Sequence, residues 1–257
     1  MLGLRDLPPR LPQKRPKPNN KKNKRYLVPF GRGFAKNSRM SRKPLERNSS
    51  LPYHVTARGN NRESFPLSTE QLWDIIADEC LFLCIVYGVQ FQAVVLMPNH
   101  FHMILTIPEH DLGIVMNQFM KSVSQRTNLI SRRTGHIFGG SYHWSVINNT
   151  RYFGHALKYV YRNPVRAQIC KTVEEYPYST LHSLLGHRHL AFPIHFTRVG
   201  MEISLPSSLS NDYLNWLNTP FPTEAESLIQ KGLRKRLFGL IKDRKTRRYS
   251  EILHSLV

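Results

Sequence analysis

Two apolar runs joined by three residues constrain this chain more than any other feature. Phe91–Leu96 and His100–Ile107 flank Met97-Pro98-Asn99. Proline cannot donate to a central ladder, so the stretch cannot be one long strand. A tight connection and two antiparallel strands satisfy it, which predicts a hairpin. Side chains on a strand alternate with period two. His100 and His102 therefore share one face of the second strand, and Phe101 points the other way.

The surrounding periodicities extend the hairpin into a domain. Tyr53–Arg58 reads as a strand closed by Gly59-Asn60-Asn61. Ser68 and Gln71 have capping-box spacing, and the stripe Leu72, Ile75, Ile76, Leu83, Val86 predicts a helix ending at Gly88. Leu112, Val115, Met116, Phe119, Met120 and Val123 predict a second helix running towards Arg133. Tyr142–Ile147 is a fourth strand. Asn149 or Thr150 caps a third helix, expected to end before Pro164. The order β-α-β-β-α-β-α is an α+β chain on the ferredoxin-like, split βαβ plan with one added helix. Thr223-Glu224-Ala225-Glu226 is another capping-box pattern. The helix expected after it carries Leu228, Ile229, Leu233, Leu237, Leu240 and Ile241 on one side.

Charge divides the chain. Residues 1–50 hold 15 of the 37 Lys and Arg but only Asp6 and Glu46 of the 17 carboxylates. That segment reads as a disordered basic arm, residues 51–188 as the folded domain, and 189–257 as a basic helical extension. A net charge of +20 makes nucleic acid the first partner to consider. The three cysteines form no C-x-x-C pair, which suits a reducing compartment. No run of eighteen apolar residues occurs, so a membrane span is not expected, and a cytoplasmic, nucleoid-associated protein is.

Tyr159 and Asn163 stand four apart and share a helix face. A phenol and an amide oxygen can there meet the two imidazoles. Metal ligands beside an oxygen nucleophile suit phosphodiester cleavage through a covalent protein–DNA bond. Tyr161 is the rival nucleophile, but two residues along a helix place it on nearly the opposite side, in the core or packed towards DNA. His155 either orients Tyr159 or lies on the surface, and the surface is the expected place. His54, His136 and His143 are scattered and receive no ligand role. Arg58, Arg62, Lys121, Arg126, Arg162 and Arg166 are candidates for DNA phosphate contact. Phe138, Tyr142 and Trp144 can stack on unpaired bases or fill the core.

With these residues assembled, the chain resembles the single-tyrosine transposases of the HUH nuclease superfamily, and within them the REP-associated tyrosine transposases. The resemblance rests on His54-Val55-Thr56-Ala57-Arg58-Gly59-Asn60, Met97-Pro98-Asn99-His100-Phe101-His102, Gly135-His136-Ile137-Phe138-Gly139-Gly140 and Tyr159-Val160-Tyr161-Arg162-Asn163-Pro164. It covers residues 52–186. It implies an enzyme that nicks and rejoins single-stranded DNA beside hairpins. His100, His102 and Asn163 would be ligands to Mg²⁺ or Mn²⁺. Tyr159 would be the nucleophile, forming a 5′-phosphotyrosyl link. Two alternatives stand beside it: a non-catalytic, domesticated hairpin-binding protein, and another HUH nicking enzyme of the rolling-circle or relaxase type. Monomer and homodimer, with or without exchange of the tyrosine helix, are both compatible with the sequence.

Overall fold

The computed structural model describes residues 48–195 and 210–239. Most of the basic arm, and the part of the C-terminal extension from residue 240 onward, lie outside the described residues. The elements run β1 (Tyr53–Arg58), a 3₁₀ turn (Asn60–Arg62), α1 (Thr69–Tyr87), β2 (Gln90–Met97), β3 (His100–Thr106), α2 (Leu112–Ser131), β4 (His143–Ile147), α3 (Thr150–Arg166), α4 (Thr180–Leu184), α5 (Asn211–Asn218), α6 (Thr223–Gly232) and β5 (Leu237–Phe238). The strands form one sheet in the order β2-β3-β1-β4-β5. The first four pair antiparallel, in the strand order of the expected split βαβ plan.

Local chemistry sets these elements. Ser68 and Gln71 form the expected capping box, and Gly88 closes α1 at φ 62°, where a side chain is disfavoured. Asn149 caps α3 through its Oδ1, which accepts from the Arg151 and Tyr152 amides. The β2–β3 connection is only Pro98-Asn99, so Met97 pairs directly with His100.

The sheet separates two cores. Tyr53, Val55 and Ala57 of β1 and Phe101, Met103 and Leu105 of β3 face α1 and α2, where Trp73, Phe91 and Phe119 are fully buried. Burial of each such side chain is worth about 1.5–3 kcal/mol. The other face meets α3, and α5 and α6 pack on α3 from outside, around Val95, Ile104, Leu157, Val160 and Ile229. His54, Thr56, Arg58, His100 and His102 have the parity of this second face, since Thr56 pairs with His102 and Arg58 with His100.

Three sequence expectations change. Helix α3 does not stop before Pro164 but runs through it to Arg166. Pro164 has no N–H to give the Val160 carbonyl, and the Asn163 side-chain Nδ2 lies 3.5 Å from that oxygen. The C-terminal helix ends at Gly232, and Leu237–Phe238 instead form a short strand parallel to β4. Its first turn has no capping box: Pro222 is the N-cap, without a side-chain bond, while Glu224 and Glu226 place carboxylates at the positive end of the helix.

Candidate active site

Backbone hydrogen bonds pin the β2–β3 turn. The Gly59 amide donates to the Asn99 carbonyl at 2.7 Å, and the Phe65 amide to the Pro98 carbonyl at 2.8 Å. A Cβ on Gly59 would meet the Glu63 carbonyl at 2.6 Å, so this close approach requires glycine. The Asn99 side-chain amide donates to the Arg62 carbonyl at 3.0 Å, which fixes its orientation. Its Oδ1 then accepts from His100 Nδ1 at 2.6 Å. An amide oxygen only accepts, so the proton is on Nδ1 and His100 Nε2 keeps its lone pair.

His102 lies perpendicular to His100, with ring centroids 5.0 Å apart. Its Nδ1 is 2.9 Å from His54 Nε2, and the two rings stack at 5.1 Å. His54, read from sequence as scattered, is thus the partner that orients His102. The Tyr159 ring stands edge-on to His102 at 5.8 Å. Arg166 Nη1 donates to the Tyr159 hydroxyl at 3.2 Å, and Glu226 sits 3.7 Å from Arg166 Nε. Asn163 donates through Nδ2 to the Tyr159 carbonyl at 2.8 Å, so the hydrogen bonds to its own helix use its nitrogen and not its Oδ1.

His54, His100, His102, Tyr159, Asn163 and Arg166 line one cleft of about 720 Å³. Burial holds His54 down to about 3. Burial first, then the charges of Arg58 and Arg166, lowers His100 to about 4. His102 lies well below the ordinary histidine range, through burial and then its His54, His100 and arginine neighbours. Neutral imidazoles with Nδ1 occupied are the form that ligates a metal through Nε2. No group of three His, Cys, Asp or Glu side chains among the described residues is placed to hold an ion. Among the described residues a third protein ligand beside His100 and His102 would be of another kind; Asn163, whose Oδ1 makes no bond to its own helix, lines the same cleft.

The arginine candidates divide. Arg58, Arg62 and Arg166 line the cleft. Arg126 instead pairs with Asp78 at 2.7 Å on the α1–α2 side, away from the histidines. Arg162 donates to the Leu217 carbonyl at 3.0 Å and to that of Asn218, which ties α3 to the end of α5. Lys121 is exposed on α2 and does not line the cleft. Tyr161 is in the core, bonded to Thr180 Oγ1 at 3.0 Å, and burial raises it to about 12. His155 is buried against Phe221 and is not a surface residue. Phe138 packs on Phe65 and Phe101, and Trp144 on Tyr53. His143, Gln230 and Arg234 line the cleft as well, without having been expected there.

Residues 47–163 match the family model described as transposase IS200 like. That match spans 117 of the 257 residues. The chain is similar to a REP-associated tyrosine transposase of Escherichia coli (strain K12), 31% identical over 36% of this chain and 54% of that protein. It is also similar to a protein of that description from Haemophilus influenzae, 23% identical over 38% of this chain and 62% of the relative. The chain thus spans little more than half the length of these curated relatives. The solved structure of a REP-associated tyrosine transposase bound to a REP hairpin is 23% identical, with TM-score 0.49, covering 64% of this chain and 99% of that one. The matched span contains Arg58, Arg62, His100, His102, Tyr159 and Asn163. Arg166, Gln230 and Arg234 lie beyond the matched span. Among the described residues no helix is long and apolar enough to cross a membrane.

Proposed function

We propose that this protein nicks and rejoins single-stranded DNA beside hairpins, with Tyr159 as nucleophile. The observation that carries this reading is one cleft in which Tyr159 stands at 5.8 Å from His102, between the histidine pair and Arg166. Tyr159 Oη attacks the phosphorus, and an O–P bond forms as the bond to the 3′-oxygen breaks. The phenolic proton is released, the 3′-oxygen gains one, and the products are a 5′-phosphotyrosyl link and a free 3′-hydroxyl. Reversal of the step rejoins DNA without an external energy source, because the phosphodiester is exchanged and not hydrolysed.

Arg166 holds the attacking oxygen through Nη1. Arg58 and Arg62 at the cleft edge suit the phosphates on either side. His100, His102 and Asn163 would hold Mg²⁺ or Mn²⁺, with imidazole favouring Mn²⁺. When bound, the ion supplies charge neutralisation at a non-bridging phosphate oxygen. His54 and Asn99 keep the two imidazoles oriented. The similarity to REP-associated tyrosine transposases supports hairpin DNA as the substrate class.

The test is a covalent-adduct assay. Labelled single-stranded DNA carrying a hairpin is incubated with protein and Mn²⁺ and run on a denaturing gel. The parent protein and Tyr161→Phe should give an adduct that Tyr159→Phe lacks. Adduct retained by Tyr159→Phe would overturn the assignment of the nucleophile. Tight hairpin binding without adduct from the parent would make the protein a non-catalytic hairpin binder.

A further inference from the structure

Helix α6 lies beyond the span matched by the IS200-like family, yet it forms a wall of the cleft. Its inner side is apolar: Ala225 and Ile229 are fully buried, and Leu233 follows them into the second core. Its other side presents Glu226, Gln230 and, in the turn beyond Gly232, Arg234. Glu226 stands beside Arg166, the residue bonded to the Tyr159 hydroxyl, so α6 is anchored at the nucleophile.

The position of Arg234 is built in. The Lys235 amide donates to the Gly232 carbonyl at 2.9 Å, and the Val146 amide of β4 to the Arg236 carbonyl at 2.7 Å. A Cβ at Gly232 would stand 2.7 Å from the buried Phe238 ring. Arg234 is exposed and forms no ion pair among the described residues. A guanidinium held unpaired at the rim of a cleft that already carries Arg58, Arg62 and Arg166 matches phosphate oxygens.

We propose that α6 and its turn form a third wall of the DNA site, in which Arg234 binds a backbone phosphate of the single strand and Gln230 hydrogen-bonds the adjacent nucleotide. This rests on the nicking function proposed above. It extends the DNA contact surface into a segment beyond the span that matches the IS200-like family model.

The full chain is tested in EDTA, where binding is measured without cleavage. Affinity for a labelled hairpin-bearing single strand is followed across salt concentrations for the parent, Arg234→Ala, Arg234→Lys, Gln230→Ala and Lys231→Ala. Lys231 is exposed on α6 but does not line the cleft, so its loss controls for charge alone. Neutralising one phosphate contact on a single strand lowers the salt slope by about 0.7. Arg234→Ala should show that drop, Arg234→Lys should keep the parental slope, and Lys231→Ala should keep it too. Gln230→Ala should weaken binding without changing the slope. A parental slope in Arg234→Ala, or an equal drop in Lys231→Ala, would overturn the third wall. The Mn²⁺ adduct assay on the same preparations separates the two ideas: an adduct with no Arg234 effect sinks the wall alone. An Arg234 effect with no adduct sinks the nicking function alone.

Discussion

His54 shows how far single residues could be read from the sequence. His100 and His102 were legible because two residues on one strand share a face whatever the fold. His54 was not, because it meets His102 only through the pairing of β1 with β3, across 48 residues of sequence. The partner of a ligating histidine fixes its tautomer, and its loss typically costs 10- to 100-fold in metal affinity. His54→Leu should therefore weaken Mn²⁺ binding by about that factor in a calorimetric titration, with His100 and His102 intact. Unchanged affinity would make His54 a packing residue. Helix geometry alone places Tyr161 off the face of Tyr159, and the structure buries it in the core. Tyr161→Phe removes a buried bond to Thr180, an oxygen that also accepts from the Val94 amide. It should cost about 1 kcal/mol in urea unfolding while leaving the adduct intact.

At the scale of elements, α3 departs furthest from a simple amphipathic reading. The sheet lies on one side of it and α5 and α6 on the other, so most of its length is buried. That is why His155 and Lys158 are inside, and no local pattern could have announced it. Lys158 Nζ lies 4.9 Å from the ring centres of both Trp216 and Phe221. Burial, and then the neighbouring Arg162 charge, lowers it from 10.5 to about 8. Between pH 8 and 10.5 the unfolded chain therefore binds a proton that the folded chain has released, and stability from this group rises with pH. Below pH 8 the folded state bears the whole cost of the buried ammonium, partly offset by the ring faces. Lys158→Met should stabilise the protein by about 1–2 kcal/mol at pH 7. The difference should shrink towards zero as the pH approaches 10.5. A difference constant with pH would mean that Lys158 keeps its ordinary affinity for protons.

At the scale of the whole molecule, the split βαβ plan was legible because each of its parts is local: a capping box, two helical stripes, a tight connection around Pro98. The closure of the second core was not. Residues 228–241 carry a helical period straight through Gly232, and only the pairing of Leu237–Phe238 with β4 shows why the chain leaves the helix there. That closure has an energetic consequence. Leu217, Phe221, Ala225, Ile229, Leu233 and Phe238 all come from beyond residue 209 and are all buried. Each large side chain among them contributes about 1.5–3 kcal/mol through burial. Their sum is of order 10 kcal/mol, comparable with the whole stability of an ordinary domain, about 5–15 kcal/mol. Ending the chain at residue 209 also uncovers the outer side of α3, including Lys158, and removes the partner of Arg166. The shortened protein should lose its cooperative melting transition by circular dichroism and form no adduct. Gly232→Ala, which forces only a repacking against Phe238, should keep the transition and lower stability by about 1–3 kcal/mol. A shortened chain that melts cooperatively at the parental midpoint would show that the second core is not part of the cooperative unit, and that α3 holds Tyr159 in place without it.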